Sequence, residues 1–336
     1  MEKTIDPLRR ALGDNPLKCV DVGARGGQQA NWLDFSDLIQ TDCFEPDAKA
    51  CAEQAAKARP RENWFPAGLG GFTGMGKLHV LNKASGSSLY PPNPTMMNRF
   101  SKSEYGDLKA VIDVPFLTFS DFILREKRPL PNLVKLDVQG AELDILKGLQ
   151  PAHWTDLLAV QAEVEFVELY KAQPLFADVD AHMKAHGFIL MDLLPVRGYR
   201  VAEGQMRYYL KKHLGLAIAR KDISRRLVAG DALYLRDPQT LIDERNATSC
   251  YKFLLILLMY RFFDEALWFV EQACAKQVFL ANDKTALIET VKRAAPSLRW
   301  RERTNWLGRN LRKLLRASGA SQRRIPDQWL TRKWYD

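Results

Sequence analysis

A chain of 336 residues with 46% hydrophobic and 26% charged residues has room for two domains, or for one elaborated domain with an appendage, and its composition excludes disorder over most of its length. Its formal net charge of +9 is uneven: eleven Lys and Arg stand against three acids between Ser297 and Asp336, so the basic character belongs to the tail and not to the body. Met1-Glu2-Lys3-Thr4 opens no secretory-type apolar segment, Phe253 to Met259 is far shorter than the ~20 residues of a membrane span, and the five cysteines form no C-x-x-C pair, which together predict a cytoplasmic protein with reduced thiols.

In chain order, residues 4 to 12 are expected as a short helix and Leu17 to Val22 as the first strand. A helix from Gln28 to Phe35, a second strand from Leu38 to Phe44 and an Ala-rich helix from Asp47 to Ala58 follow, the last started by Pro46-Asp47. Trp64 to Ala67 reads as a brief third strand running into Gly68-Leu69-Gly70-Gly71, and Lys77 to Leu81 alternates as a hairpin strand before Ser85-Gly86-Ser87-Ser88. Pro91 to Gly106 has three prolines and no period, which predicts a loop long enough to be a lid. Phe116 to Arg125 then leads to a fourth strand, Leu133 to Asp137, and a helix from Ala141 to Leu149. Leu157 to Phe166 is the fifth strand, Asp178 to His186 a helix, Phe188 to Leu193 the sixth strand, and Ala232 to Leu235 a closing edge strand. This alternation predicts an α/β fold, a mostly parallel Rossmann-like sheet with helices on both faces. From Gln239 the apolar spacing becomes helical, with Leu254, Leu258, Phe262 and then Leu267, Val270, Cys274 describing a helical hairpin. The expected division is therefore a domain over 1–238 and a helical, basic C-terminal region over 239–336.

Val20-Asp21-Val22-Gly23-Ala24-Arg25-Gly26-Gly27 joins an apolar run, an acid at its end and glycines where a strand should turn into a helix. That is how a nucleotide-type ligand is received at the carboxyl edge of a parallel sheet. A dinucleotide asks for G-x-G-x-x-G, with its pyrophosphate on the N–H groups of the helix start. From Gly23 the chain reads G-A-R-G-G-Q, with Arg25 where the second glycine belongs, so that match is poor. S-adenosylmethionine has no phosphate, and its zwitterionic tail suits an acid beside free backbone N–H groups. Glu45 ends the next apolar run, Cys43-Phe44-Glu45-Pro46, 22 residues after Gly23, where a carboxylate can accept both ribose hydroxyls. Asp21, Gly23, Ala24, Arg25 and Gly27 from the loop, Glu45 and Pro46, Gly68 and Leu69 after the third strand, and Asp137 are the expected cofactor contacts.

Asp137 ends the fourth strand on the same sheet edge, and an acid ending a buried strand is costly unless used or paired. Gly140 permits the turn after it, and Glu142 either serves the site or is a helix-start charge favoured by the dipole. In the fifth strand, Gln161, Glu163 and Glu165 share one face by period-two alternation. Asp137 with Glu163 could bind a divalent cation such as Mg through oxygens, or Asp137, Glu163 or Glu165 could act as general base on an acceptor hydroxyl; the competing reading is the solvated face of an edge strand. His182 and His186 enclose Met183-Lys184-Ala185, without the Glu of a zinc protease motif, and read as exposed helix residues.

With these residues in view, the sequence resembles the FkbM family of class I S-adenosylmethionine-dependent methyltransferases. Three places carry the resemblance: Asp21-Val22-Gly23-Ala24 with Gly27, Phe44-Glu45-Pro46, and Lys135-Leu136-Asp137-Val138-Gln139-Gly140-Ala141-Glu142 with Leu146-Lys147-Gly148. Tyr170, Gln173-Pro174-Leu175-Phe176 and Asp231-Ala232-Leu233 extend it to about residue 238. The family usually has Asn in place of Arg25 and Glu in place of Gln139. The resemblance implies O-methylation, of a sugar hydroxyl on a glycan, glycolipid or secondary metabolite, with S-adenosylmethionine as cofactor. The alternatives are an NAD(P)-dependent oxidoreductase and a non-catalytic binding module that keeps the fold, which fold alone does not separate.

The tail lies outside the resemblance. Leu307, Leu311, Leu314 and Leu315 share one helical face, Arg309, Arg312, Lys313 and Arg316 lie largely on the others, and Trp300, Trp306, Trp329 and Trp334 flank them. This pattern suits a helix lying on an anionic membrane surface or docked on the main domain. Peripheral membrane contact through 297–336, at the inner face of the membrane, is thus expected ahead of nucleic-acid binding, since no nucleic-acid module accompanies the charge.

Overall fold

The computed structural model describes residues 6–100, 106–200, 212–213 and 225–295; the tail helix predicted around Leu307 to Arg316 lies outside them. The strands in chain order are β1 (Leu17–Val22), β2 (Ile39–Phe44), β3 (Glu62–Phe65), β4 (Gly68–Leu69), β5 (Gly74–Leu81), β6 (Leu108–Leu117), β7 (Leu133–Leu136), β8 (Ala159–Glu165), β9 (Phe188–Arg200) and β10 (Arg225–Arg236). Seven of them form one sheet in the order β3-β2-β1-β7-β8-β10-β9, and β4, β6 and β5 form a second, three-stranded sheet. Neighbours in the large sheet run parallel except β10, which is antiparallel to both β8 and β9. The order reverses at β1, which opens a ligand crevice at its carboxyl end.

The helices preceding the second sheet are α1 (Asp6–Leu12) and α2 (Ala48–Ala55), and α3 (Pro94–Phe100) lies between its two long strands. On one face of the large sheet, Val20, Val22, Val134, Leu136, Val160, Ala162 and Val164 are buried. They meet α4 (Phe119–Arg125), α5 (Glu142–Lys147), α6 (Pro151–Asp156) and α7 (Phe176–Ala185). Phe44, Phe65 and Phe122 interlock there, with Phe122 edge-on to both other rings at 4.6 and 4.9 Å. On the opposite face, Leu17, Cys19, Leu133 and Ala159 pack against α1 and the later helices α8 (Pro238–Asp243), α9 (Ala247–Met259), α10 (Phe263–Ala275) and α11 (Lys284–Ala294). Every α9 residue from Cys250 to Met259 is buried, as expected of a helix that is apolar all round. Lys252, the one charge in that run, donates from Nζ to Asn15 Oδ1 and Asn132 Oδ1, both at 3.0 Å.

Four expectations are corrected. The first crossover, predicted as a helix over Gln28 to Phe35, is a 3₁₀ segment over Ala30–Phe35, whose buried Trp32 and Phe35 stand three apart as that tighter period requires. Ala232 to Leu235 is part of a twelve-residue strand inside the sheet and not at its edge; a run buried at Ala232, Leu233, Tyr234 and Leu235 needs cover on both faces. For the same reason β8, buried throughout, is not the solvated edge strand weighed above. The stretch predicted as a loop, Pro91 to Gly106, contains α3, and ahead of that helix Asn93 N–H donates to the Leu169 carbonyl at 2.9 Å; residues 101–105 lie outside the described ones.

Candidate cofactor and catalytic site

A cavity of about 490 Å³ opens at the carboxyl edge of β1, β2 and β7, with the second sheet as its opposite wall. Gly23, Arg25, Glu45, Pro46, Gly68, Leu69 and Asp137 all line it. The wall is apolar: Leu78 on β5 and Ile112 on β6 stand directly opposite each other, and Val80, Val114 and Phe116 extend it. A volume of this size, apolar with a few placed charges, is that of a small-ligand site.

Gly23 has a φ of +81°, and a Cβ there would stand 2.0 Å from the Asp137 carbonyl oxygen. Only glycine lets β1 and β7 turn this close together. The loop differs from expectation in one respect: the Gly23 and Ala24 N–H groups both donate to the Phe44 carbonyl, at 3.1 and 3.0 Å, and Gly27 N–H donates to the Ala24 carbonyl at 2.9 Å. The first two N–H groups are therefore committed to holding the end of β1 against β2, and the third closes the loop on itself. Ala24 is buried, and neither it nor Gly27 lines the cavity.

Glu45 ends β2 almost fully buried. Its Oε1 accepts from the Asp47 N–H at 2.9 Å and from Arg25 Nη1 at 3.4 Å, while Arg25 Nη2 reaches Asp47 Oδ2 at 3.1 Å. Burial pushes the Glu45 carboxyl pKa up, and the Asp47 N–H and Arg25 oppose it. Arg25, which stands where a dinucleotide loop has its second glycine, is thus a counter-ion of Glu45. Asp47 also caps α2, accepting from Lys49 and Ala50 N–H.

The charged end of the central strands is built by their register. Asp21 pairs with Lys135, and Lys135 with Gln161, across β1, β7 and β8, so one face carries a polar row above the apolar Cys19, Leu133 and Ala159. Lys135 Nζ stands 3.1 Å from Asp21 Oδ1 and 3.7 Å from Asp137 Oδ2. Burial works against the lysine's charge, but Asp21, Asp137 and Asp231 outweigh it and hold its pKa above the ordinary value. Asp21 is fully buried and does not line the cavity. Asp137 is reachable, its side chain 33% exposed.

Beyond Asp137 the chain turns through Gln139 (φ +59°) and Gly140 (φ +107°). The Glu142 carboxylate fastens this turn, accepting from Val138 N–H at 2.8 Å and Gly140 N–H at 2.9 Å. Of the two readings of Glu142, it is more than a helix-start charge. Gln139 Nε2 donates to Asp137 Oδ1 at 2.9 Å and also to Glu163 Oε2, so the two carboxylates are brought together through an amide. Glu163 and Glu165 are buried in β8 and do not line the cavity. Among the described residues, no group of three or more Asp, Glu, His or Cys is placed to hold a metal ion. The donor set at Asp137 and Glu163 does not fit the expected divalent cation, because the atom between them is an N–H donor and not an oxygen ligand. His182 and His186 lie elsewhere, with His186 stacked on Trp154 at 4.0 Å.

Two residues in this site went unassigned in the sequence reading. Lys135 carried a signal, since a lysine between Val134 and Leu136 in a buried strand demands a partner. Gln139 carried none as a bridge, for its contacts depend on β8 and on Tyr170.

Residues 21–190 match the methyltransferase FkbM domain. The chain belongs to this family. Its seven-stranded sheet with one inserted antiparallel strand is the Rossmann-like arrangement of class I methyltransferases. Among solved structures, the FkbM-family chain is similar to a presumed RNA methyltransferase of Pyrococcus horikoshii, at 12% identity and a TM-score of 0.28, over 70% of this chain and 83% of that one. It is also similar to the magnesium protoporphyrin IX methyltransferase of Synechocystis PCC 6803 with bound S-adenosylmethionine, at 11% identity and a TM-score of 0.30, over 70% of this chain and 79% of that one. No curated protein matches it in sequence.

Proposed function

We propose that this FkbM-family protein is an S-adenosylmethionine-dependent O-methyltransferase acting on a hydroxyl group, by resemblance a sugar hydroxyl of a glycan, glycolipid or secondary metabolite. The observation that carries this reading is the pairing, in one cavity, of buried Glu45 at the end of β2 with reachable Asp137 at the end of β7. The residues present fit the cofactor: both bonds to Glu45 fall on Oε1, which leaves Oε2 for ribose hydroxyls, and Gly23 and Gly68 offer bare backbone beside it. S-adenosylmethionine, when bound, supplies an electrophilic methyl group.

The chain's own part is orientation and proton removal. Asp137 takes the proton of the attacking hydroxyl, a role that contributes on the order of 10²–10⁴ in rate. Lys135 Nζ stands 3.7 Å from its Oδ2, and the Gln139 amide fixes its Oδ1 from the other side. Leu78, Val114 and Phe116 give the acceptor an apolar wall to lie against. Alignment of the two reactants in this cavity supplies much of the remaining acceleration.

The test is incubation of the protein with methyl-labelled S-adenosylmethionine and a glycan and glycolipid extract, followed by methyl-ether analysis of the sugars. Label in O-methyl sugars, lowered roughly a hundredfold or more by Asp137→Asn, supports the reading. Label confined to nitrogen or carbon, or none in any hydroxyl-bearing fraction, overturns it. A glycolipid acceptor also gives the basic segment 297–336 a use at an anionic bilayer. Vesicle co-sedimentation of the full chain against a form ending at Ala295 checks that part, and equal sedimentation of the two forms removes it.

A further inference from the structure

We infer that Gln139 is a positioning residue whose side-chain amide fills the bridging place between Asp137 and Glu163 that a divalent cation would otherwise take, so that this carboxylate pair is assembled without a metal. A side-chain amide has two N–H donors, and a carboxylate offers only acceptors. With Asp137 Oδ1 at 2.9 Å and Glu163 Oε2 also in contact with Nε2, both donors are used and the amide's orientation is decided. At the other end, the Tyr170 hydroxyl lies 3.0 Å from Gln139 Oε1 and 2.7 Å from the Gly86 carbonyl and has one proton for these two acceptors, so the orientation rests on the two carboxylates.

The main chain is held just as firmly. Gln139 adopts a φ of +59°, a left-handed conformation that a residue with a Cβ keeps only when its surroundings over-determine it. Here they do. The Ser88 hydroxyl donates to the Gln139 carbonyl at 2.6 Å, the Glu142 carboxylate receives the N–H groups on either side of it, and the Gln173 side chain packs against Gly140. Each of these contacts converges on one residue whose side-chain N–H groups tie Asp137 to Glu163. In chemical terms the bridge is made by hydrogen and not by a Lewis acid, and a hard cation such as Mg²⁺ needs oxygen donors in that place.

The role Gln139 plays for turnover rests on the methyltransferase reading, but its test does not. Manganese(II) titration followed by electron paramagnetic resonance needs neither cofactor nor acceptor, so failure here and failure of methyl transfer are separate results. The full-length protein is expected to bind no Mn²⁺ at this site. Gln139→Glu supplies the missing oxygen ligands and should acquire a single Mn²⁺, bound roughly tenfold or more tighter than any seen in the unaltered protein. Adding Glu163→Gln should remove it again. A Mn²⁺ bound by the unaltered protein and lost in Asp137→Asn would show that the amide turns its oxygen to a cation, and overturns the inference. So does a folded Gln139→Glu protein that gains no Mn²⁺. Should that variant not fold, the unaltered protein decides by nuclear magnetic resonance of the Gln139 side-chain amide, identified by its loss in Gln139→Met. Two exchange-protected N–H signals unmoved by Mg²⁺ support the bridge, and a Mg²⁺-dependent shift overturns it.

Discussion

The two faces of the large sheet are closed by helices in different ways. On the face toward α4 to α7, the central strands present hydrocarbon and aromatic side chains from end to end, Val20 and Val22, Val134 and Leu136, Val160 to Val164. On the face toward α9, the same three strands begin apolar, with Leu17, Cys19, Leu133 and Ala159, and end in Asp21, Lys135, Gln161 and Glu163. One face is apolar throughout; the other passes from apolar to charged along each strand. Burying charge is tolerable at the carboxyl edge because the charges answer one another there, Lys135 lying between Asp21 and Asp137, and because the apolar half below supplies the folding free energy.

This contrast is broken most severely at Lys135. Lys135→Met leaves Asp21, fully buried, without its cation, and is expected to lose about 3–5 kcal/mol in urea unfolding. Adding Asp21→Asn should restore most of that; a double variant as unstable as the single one would mean the pair is not what holds the row. On the apolar face, Phe122→Ala opens the cluster of Phe44, Phe65 and Phe122 at a cost of about 3–5 kcal/mol. Cofactor affinity should be unchanged, measured at a temperature where the variant is folded, and a parallel loss of affinity would show that the faces are not independent.

Glu142 sharpens the comparison through pH. Burial raises its carboxyl pKa from the ordinary 4.5 to about 7. The folded state therefore holds a proton that the unfolded state releases, so this group's contribution is full below pH 4.5 and fades as pH rises through about 7. Unfolding free energy should fall by roughly 3 kcal/mol across that window on its account, and Glu142→Gln should flatten the curve. An unaltered slope in the variant assigns the titration elsewhere. At Glu45, Glu45→Ala is expected to weaken S-adenosylmethionine by ~1–3 kcal/mol, as ribose hydroxyls lose a charged acceptor. Arg25→Ala should weaken it by under about 1 kcal/mol, because the guanidinium is partly exposed and screened. Calorimetry that reversed this order would make Arg25 the ligand and Glu45 its support.

Much of this was legible in the chain because central strands leave strong signals. Leu17–Val22 was bounded to the residue, since its apolar Leu17, Cys19, Val20 and Val22 are stopped by Gly23. The ends of β1, β2 and β7 gave Gly23, Glu45 and Asp137 for the same reason, and the cavity joins all three. β6 was not visible: from Leu108 to Asp113 it is exposed on both faces, so no alternation marks it, and Pro115 argues against a strand by rule. The cavity's apolar wall went with it. The place of β10 was hidden because strand order within a sheet depends on which edge the chain returns to, and a return between β8 and β9 leaves no local mark. Asp21 was expected as a cofactor contact and is instead buried outside the cavity as the partner of Lys135, since that pairing is a matter of register between strands more than a hundred residues apart.

The central claim is that the cavity between Gly23, Glu45 and Asp137 receives S-adenosylmethionine and that Asp137 serves the reaction, not the binding. Titration calorimetry of the unaltered protein, Glu45→Ala and Asp137→Asn, each with S-adenosylmethionine and with NADH, tests it most directly. The account predicts S-adenosylmethionine binding by the unaltered protein and by Asp137→Asn with little difference, weaker binding by Glu45→Ala, and no heat with NADH. NADH binding without S-adenosylmethionine binding would contradict it.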